Sequence, residues 1–155
     1  MTSELGILGG EIMNKDDRMG AIRVSVTLTN SVDLGMIRRG VLNPKHLRSI
    51  EVNALVDTGA VMLVIPNSVA IALGLEKQGQ EVAQYANGYE EVINLSEPLK
   101  IECLGRSTTD EALIVGDEVL IGQVILEKLD FWADCKNQRL IPNPEHPDYP
   151  VMLLK

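Results

Sequence analysis

The chain has 155 residues, 45% hydrophobic and 23% charged, which suits one globular domain with a sizeable core and excludes wholesale disorder or a fibrous repeat. Fourteen Lys and Arg against twenty-two Asp and Glu leave a formal net charge of -8, a balance that repels polyanions, so neither nucleic acid nor an anionic membrane surface is an expected partner. No run approaches the ~18 uninterrupted apolar residues of a membrane span, and the first residues lack the basic-then-apolar order of a secretory signal, which points to a cytoplasmic protein.

One Trp, one Phe and three Tyr leave the core to Val, Ile, Leu and Ala, and β-branched residues favour strands. Residues 1–18 mix glycines and charges without a period and read as a flexible leader or an added edge strand, ahead of a single domain over residues 19–155. From Ala21 to Asn30 the alternation is strict: Ile22, Val24, Val26 and Leu28 share one face of a strand. Gly35 to His46, with Gly40, Asn43 and Pro44 among basic side chains, reads as a surface loop.

Two apolar runs, Ile50 to Val56 and Val61 to Ile65, are joined by the polar turn Asp57-Thr58-Gly59-Ala60. Val69 to Leu73, closed by Gly74, predicts a short helix. Glu81 to Tyr85 and Tyr89 to Leu95 flank Ala86-Asn87-Gly88, where the Asn-Gly pair predicts a projecting β-hairpin. Further strands are expected at Leu99 to Leu104, Glu111 to Val115 and Val119 to Ile121, then a helix at Gln123 to Leu129, and a last hairpin around Lys136-Asn137. Cys103 and Cys135 have no metal-ligand spacing and read as reduced core residues. His46 and His146 neighbour no nucleophile motif and read as surface residues. The terminal Val151 to Leu154 run suits an interface strand slightly better than a frayed tail.

Chemistry concentrates at Asp57-Thr58-Gly59. An acid at the end of an apolar strand sits where a charge is costly, the glycine permits close backbone approach, and the threonine hydroxyl can fix the loop. The same residues also favour ordinary turns. Val119-Leu120-Ile121-Gly122 provides a second apolar run ending in glycine ahead of a helix, which suggests an internally duplicated layout.

These features resemble the retropepsin-like aspartic proteases, and within them the small single-domain bacterial members. Leu55-Val56-Asp57-Thr58-Gly59-Ala60 looks like the active-site loop, Tyr85 to Tyr89 like the flap, and Leu120-Ile121-Gly122 like the hydrophobic-hydrophobic-Gly motif. The resemblance implies a mainly β fold, a closed small β-barrel with one or two short helices forming one half of a two-fold dimer. It implies an aspartic endopeptidase with Asp57, Thr58 and Gly59 as catalytic residues, with Ala60, Tyr85, Ala86, Asn87, Gly88 and Ile121 at the substrate, and with no metal or other cofactor. The flap departs from glycine-rich viral tips by carrying Tyr85 and Tyr89. No second Asp-Thr-Gly or Asp-Ser-Gly occurs in the chain, so a two-acid site needs a second copy; the expected partners are the chain itself and a peptide or unfolded protein. A catalytically silent dimer that binds peptide strands or assembles a complex is the alternative, and a small unrelated barrel with Asp57 capping a turn is a third.

Overall fold

The computed structural model describes residues 6–8, 11–13 and 21–154. Within residues 1–18, β1 (Gly6–Leu8) and β2 (Glu11–Met13) form an antiparallel pair separate from the main sheet; the other positions of that stretch lie outside the described residues.

The alternating segment becomes β3 (Ile22–Asn30), with Ile22, Val26 and Leu28 in the core. Where a loop was expected, a helix follows: α1 (Ser31–Arg38). The reason is a capping arrangement at the end of β3. The Asn30 side-chain oxygen accepts from the Asp33 amide at 3.0 Å, and its Nδ2 donates to the Leu73 carbonyl at 2.8 Å. Asp33 is buried beneath Arg48, whose Nε and Nη2 donate to its two carboxylate oxygens at 2.9 and 2.8 Å. A 3-10 turn at Pro44–His46 leads into β4 (Ser49–Val56), which pairs with β3 from Thr29↔Ser49 to Ile22↔Val56.

Then come β5 (Leu63–Ile65), α2 (Asn67–Ala72), the long hairpin β6 (Lys77–Gln84) and β7 (Glu90–Ser96), and β8 (Leu99–Cys103). An unexpected strand, β9 (Arg106–Asp110), folds back on β8 through Leu104 and Gly105, both at positive φ. β10 (Ala112–Ile114), β11 (Leu120–Ile121), α3 (Gln123–Leu129) and the hairpin β12 (Phe131–Asp134) with β13 (Arg139–Pro142) complete the chain.

Nine strands form one sheet in the order β6-β7-β10-β5-β11-β4-β3-β8-β9. The fold is mainly β with few helices, as expected, but the barrel is not closed: β6 and β9 are separate edges. Both are poor candidates for joining, since β6 is largely exposed and β9 reads Arg-Ser-Thr-Thr-Asp, so closure would bury little apolar surface. The centre of the sheet is palindromic. β10 runs parallel to β5, β11 runs parallel to β4, and β5 and β11 meet antiparallel between them. The strand-end bonds repeat too: Asp57 N–H donates to Ile121 O, and Val115 N–H donates to Ile65 O, each at 3.0 Å. The duplication inferred from the sequence is therefore present, but it matches β4 with β10 and β5 with β11.

Aliphatic side chains fill the core, with Leu28, Leu63, Ile65, Leu99, Ile101, Ile121, Ile125 and Leu129 buried almost completely. Cys103 lies among them, and burial pushes its thiol up to about 11. Cys135 is exposed, contrary to expectation, because it falls at the solvent-facing turn of the β12–β13 hairpin. Among the described residues no helix is long and apolar enough to cross a membrane.

Candidate active site

Asp57 follows β4, an interior strand held by β3 on one side and β11 on the other. Its amide is tied to Ile121 O, and its carbonyl accepts from Ala60 N–H at 3.1 Å, closing the turn. Its Oδ1 accepts from Gly59 N–H at 2.9 Å. A Cβ on Gly59 would lie 3.2 Å from that same oxygen, so the glycine serves close approach and not an unusual φ. Oδ2 has no protein partner among the described residues. Asp57 and Ala60 are half-buried, while Thr58 and Gly59 are exposed, so in one copy the loop is open to water and less enclosed than its apolar approach suggested.

The loop is braced from behind by α3. Gln123 N–H donates to Ala60 O at 2.8 Å and Val124 N–H to Val61 O at 2.9 Å. The first helical turn has no side-chain cap at Gly122, so loop carbonyls satisfy its donors. Ile121, expected at the substrate, is fully buried, and its carbonyl holds the Asp57 amide.

At the expected flap, Tyr85 N–H bonds Tyr89 O at 2.8 Å and Gly88 N–H bonds Tyr85 O at 2.9 Å. Gly88 alone among Ala86, Asn87 and Gly88 has positive φ, 88°, so the hairpin closes by a three-residue loop between Tyr85 and Tyr89, as expected, with glycine at the left-handed position. The Tyr85 and Tyr89 rings stack with centroids 5.7 Å apart, and Tyr85 Oη donates to Glu91 at 2.7 Å. That bond, to a carboxylate, raises the Tyr85 hydroxyl above its ordinary pKa. In the sheet, β10, β5 and β11 separate this hairpin from β4.

A groove of about 1000 Å³ lies beside Thr58, between α3, β12 and the C-terminal segment; Val124, Trp132, Pro150, Met152 and Leu153 also line it. Trp132 is 50% exposed, Met152 72% and Leu153 91%, an apolar surface next to the acid's loop.

Sequence reasoning missed the contacts that hold this segment. Asp130, left-handed at the end of α3, accepts from Asn143 Nδ2 at 3.1 Å and Val151 N–H at 3.0 Å, and meets His146 Nδ1 at 2.6 Å. His146 is thus a tertiary contact and not a bare surface residue. The Val151 bond, followed by those of Asn143 and His146, holds the Asp130 carboxyl below the usual range against opposing desolvation. Arg106 spans the same region: its guanidinium donates to the carbonyls of Leu129, Asp130 and His146 and lies 5.4 Å from the centre of the Phe131 ring. No local signal marked Asp130, since its partners come from residues 143–151 downstream.

Residues 46–97 match the family model described as aspartyl protease. That segment holds Asp57, its loop and the expected flap, and the match bears out the resemblance to retropepsin-like aspartic proteases and the aspartic-type peptidase class. No curated protein matches the chain. Similar solved structures include the simian foamy virus (mac) protease in solution, at 14% identity and TM-score 0.43 over 67% of this chain and 90% of that one. The EIAV protease complexed with the inhibitor HBY-793 is similar at 21% identity and TM-score 0.41, over 50% of this chain and 75% of that one. A foamy viral protease-reverse transcriptase in complex with an RNA/DNA hybrid is similar at 18% identity and TM-score 0.44, over 69% of this chain and 12% of that one.

Proposed function

We propose that the protein is a cytoplasmic aspartic endopeptidase, active as a homodimer, that hydrolyses extended peptides or unfolded proteins with two copies of Asp57. The observation that carries this reading is the Asp57 carboxylate itself, held by Gly59 N–H through Oδ1 with Oδ2 unpartnered among the described residues. The exposed apolar groove beside Thr58 supports pairing of two copies at this face.

Two equivalent carboxyls in contact resist joint ionisation and share one proton, as aspartic-protease dyads do. The ionised member takes a proton from water while the protonated member hydrogen-bonds the scissile carbonyl. The water oxygen bonds to the carbonyl carbon and the carbonyl oxygen takes the second acid's proton; the first acid then passes water's proton to the amide nitrogen, the C–N bond breaks, and one hydroxyl of the gem-diol returns its proton to the second carboxylate, which restores the pair. Thr58 would brace the paired loops, Gly59 and Ala60 would meet the substrate backbone, and Tyr85 to Gly88 would cover it by strand addition.

The test is cleavage of a denatured protein by wild type and by Asp57→Asn, which keeps the acceptor for Gly59 N–H. Loss of cleavage to background with unchanged circular dichroism and sedimentation is expected; retained turnover overturns the assignment.

A further inference from the structure

We propose that Asp130 is a positioning residue that latches the C-terminal segment onto the end of α3, so that Pro150 to Leu153 form one wall of the groove beside Thr58. The inference rests on the pairing proposed above, because it makes the shape of that face depend on a carboxylate distant in sequence from the acid's loop.

One carboxylate gathers three partners from the segment: the Asn143 side chain, the His146 ring and the Val151 main chain. The last of these is decisive. Residues 151–154 have no regular secondary structure, and Met152, Leu153 and Leu154 are exposed, so the Val151 bond is the anchor immediately before the apolar end. Asp130 is itself well placed to hold it. Its left-handed backbone (φ 57°) ends α3, and its carbonyl is gripped by Arg106 from β9. The same guanidinium holds the His146 carbonyl, so both sides of the latch share one rigid tie.

Among the described residues, three charged or titratable groups bear on Asp130. His146 faces it from the segment, Arg106 faces its carbonyl from β9, and Lys128 on α3 is engaged by Asp110. With its carboxyl held below the usual range, the latch stays closed through mild acid. A depressed folded-state pKa means its contribution is present above the ordinary carboxylate value and is lost as pH falls through the lower one. The segment is therefore released only under stronger acid.

The test compares wild type with Asp130→Gly, which suits the left-handed backbone and removes all three side-chain bonds, and with Asp130→Asn, which also tolerates that backbone. Amide exchange at Val151 in the intact protein is expected to accelerate about tenfold or more in Asp130→Gly, the worth of one hydrogen bond to a charged group. Asp130→Asn is expected to fall between. Wild-type exchange at Val151 is expected to rise towards that of Asp130→Gly as pH drops below about 4, while the variant's extra exposure shows no such step. Wild-type protection in both variants overturns the latch. Sedimentation is expected to show several-fold weaker self-association in Asp130→Gly; unchanged self-association with a freed segment overturns its link to pairing. Cleavage by Asp57→Asn tests the peptidase reading separately.

Discussion

Gly122 lies so close to Met62 that a Cβ on the glycine would sit 2.4 Å from the Met62 carbonyl oxygen and 2.7 Å from that of Ala60. The hydrophobic-hydrophobic-Gly motif is thus a packing requirement: without a side chain at 122, the acid's loop can rest on the start of α3 and receive the Gln123 and Val124 amides.

Gly122→Ala forces backbone to move and is expected to destabilise the protein by about 1–3 kcal/mol, the usual cost of overpacking. Urea denaturation measures the loss. Cleavage should fall further than stability accounts for, because the displaced residues include the brace of Asp57.

Gly35 presents the opposite case. It sits inside α1, its φ is not positive, and a Cβ there would meet nothing nearer than an Arg38 nitrogen at 3.8 Å. Gly35→Ala is expected to stabilise by about 0.5–1 kcal/mol through lower unfolded-chain entropy and better helix propensity. A raised denaturation midpoint with an unchanged slope checks it.

Asp33 and Arg48 give acid unfolding a specific component. The Asp33 side chain is 3% exposed and that of Arg48 48%. Side-chain bonds from Arg48 hold the Asp33 carboxyl below its ordinary value, against desolvation and with help from the Arg48 amide. Its contribution is therefore present above about pH 4, the unfolded value, and is lost as pH falls through the lower folded one. Asp33→Asn is expected to lower stability at neutral pH and to flatten the acid limb of the stability profile. Denaturant midpoints measured from pH 7 down to acid check both.

At the hairpin tip, Gly88 has φ 88° with open space around it. Gly88→Ala is therefore a purely conformational change, expected to cost about 1–2 kcal/mol locally. Faster amide exchange at Tyr85 and Gly88, with β3 and β4 unaffected, is the expected signature.

Much of this architecture was legible because it rests on local rules. Alternation located β3, the 3.6-residue spacing matched α3 at Gln123 to Leu129, and Asn87-Gly88 located the hairpin and its three-residue loop. The Asp57 loop was legible for a related reason: a polar turn between apolar runs leaves few other placements. α1 was missed although Asn30-Ser31-Val32-Asp33 carries a capping signal, because Gly35, Gly40 and the basic residues outweighed it. β9 has no apolar alternation and exists through pairing with β8. The open sheet edges, the exposure of Cys135 and the partners of Asp130 all follow from tertiary placement, which no local pattern encodes.

The matched strand ends within the sheet carry a last consequence. Val115 occupies in one half the station that Asp57 occupies in the other, and each is tethered by the same kind of amide-to-carbonyl bond. The strand-end geometry is repeated but the carboxylate is not: a hydrocarbon side chain stands at Val115 where Asp57 stands in the other half. On the reading proposed above, a single copy therefore cannot complete its own pair of acids, and the second has to come from another molecule.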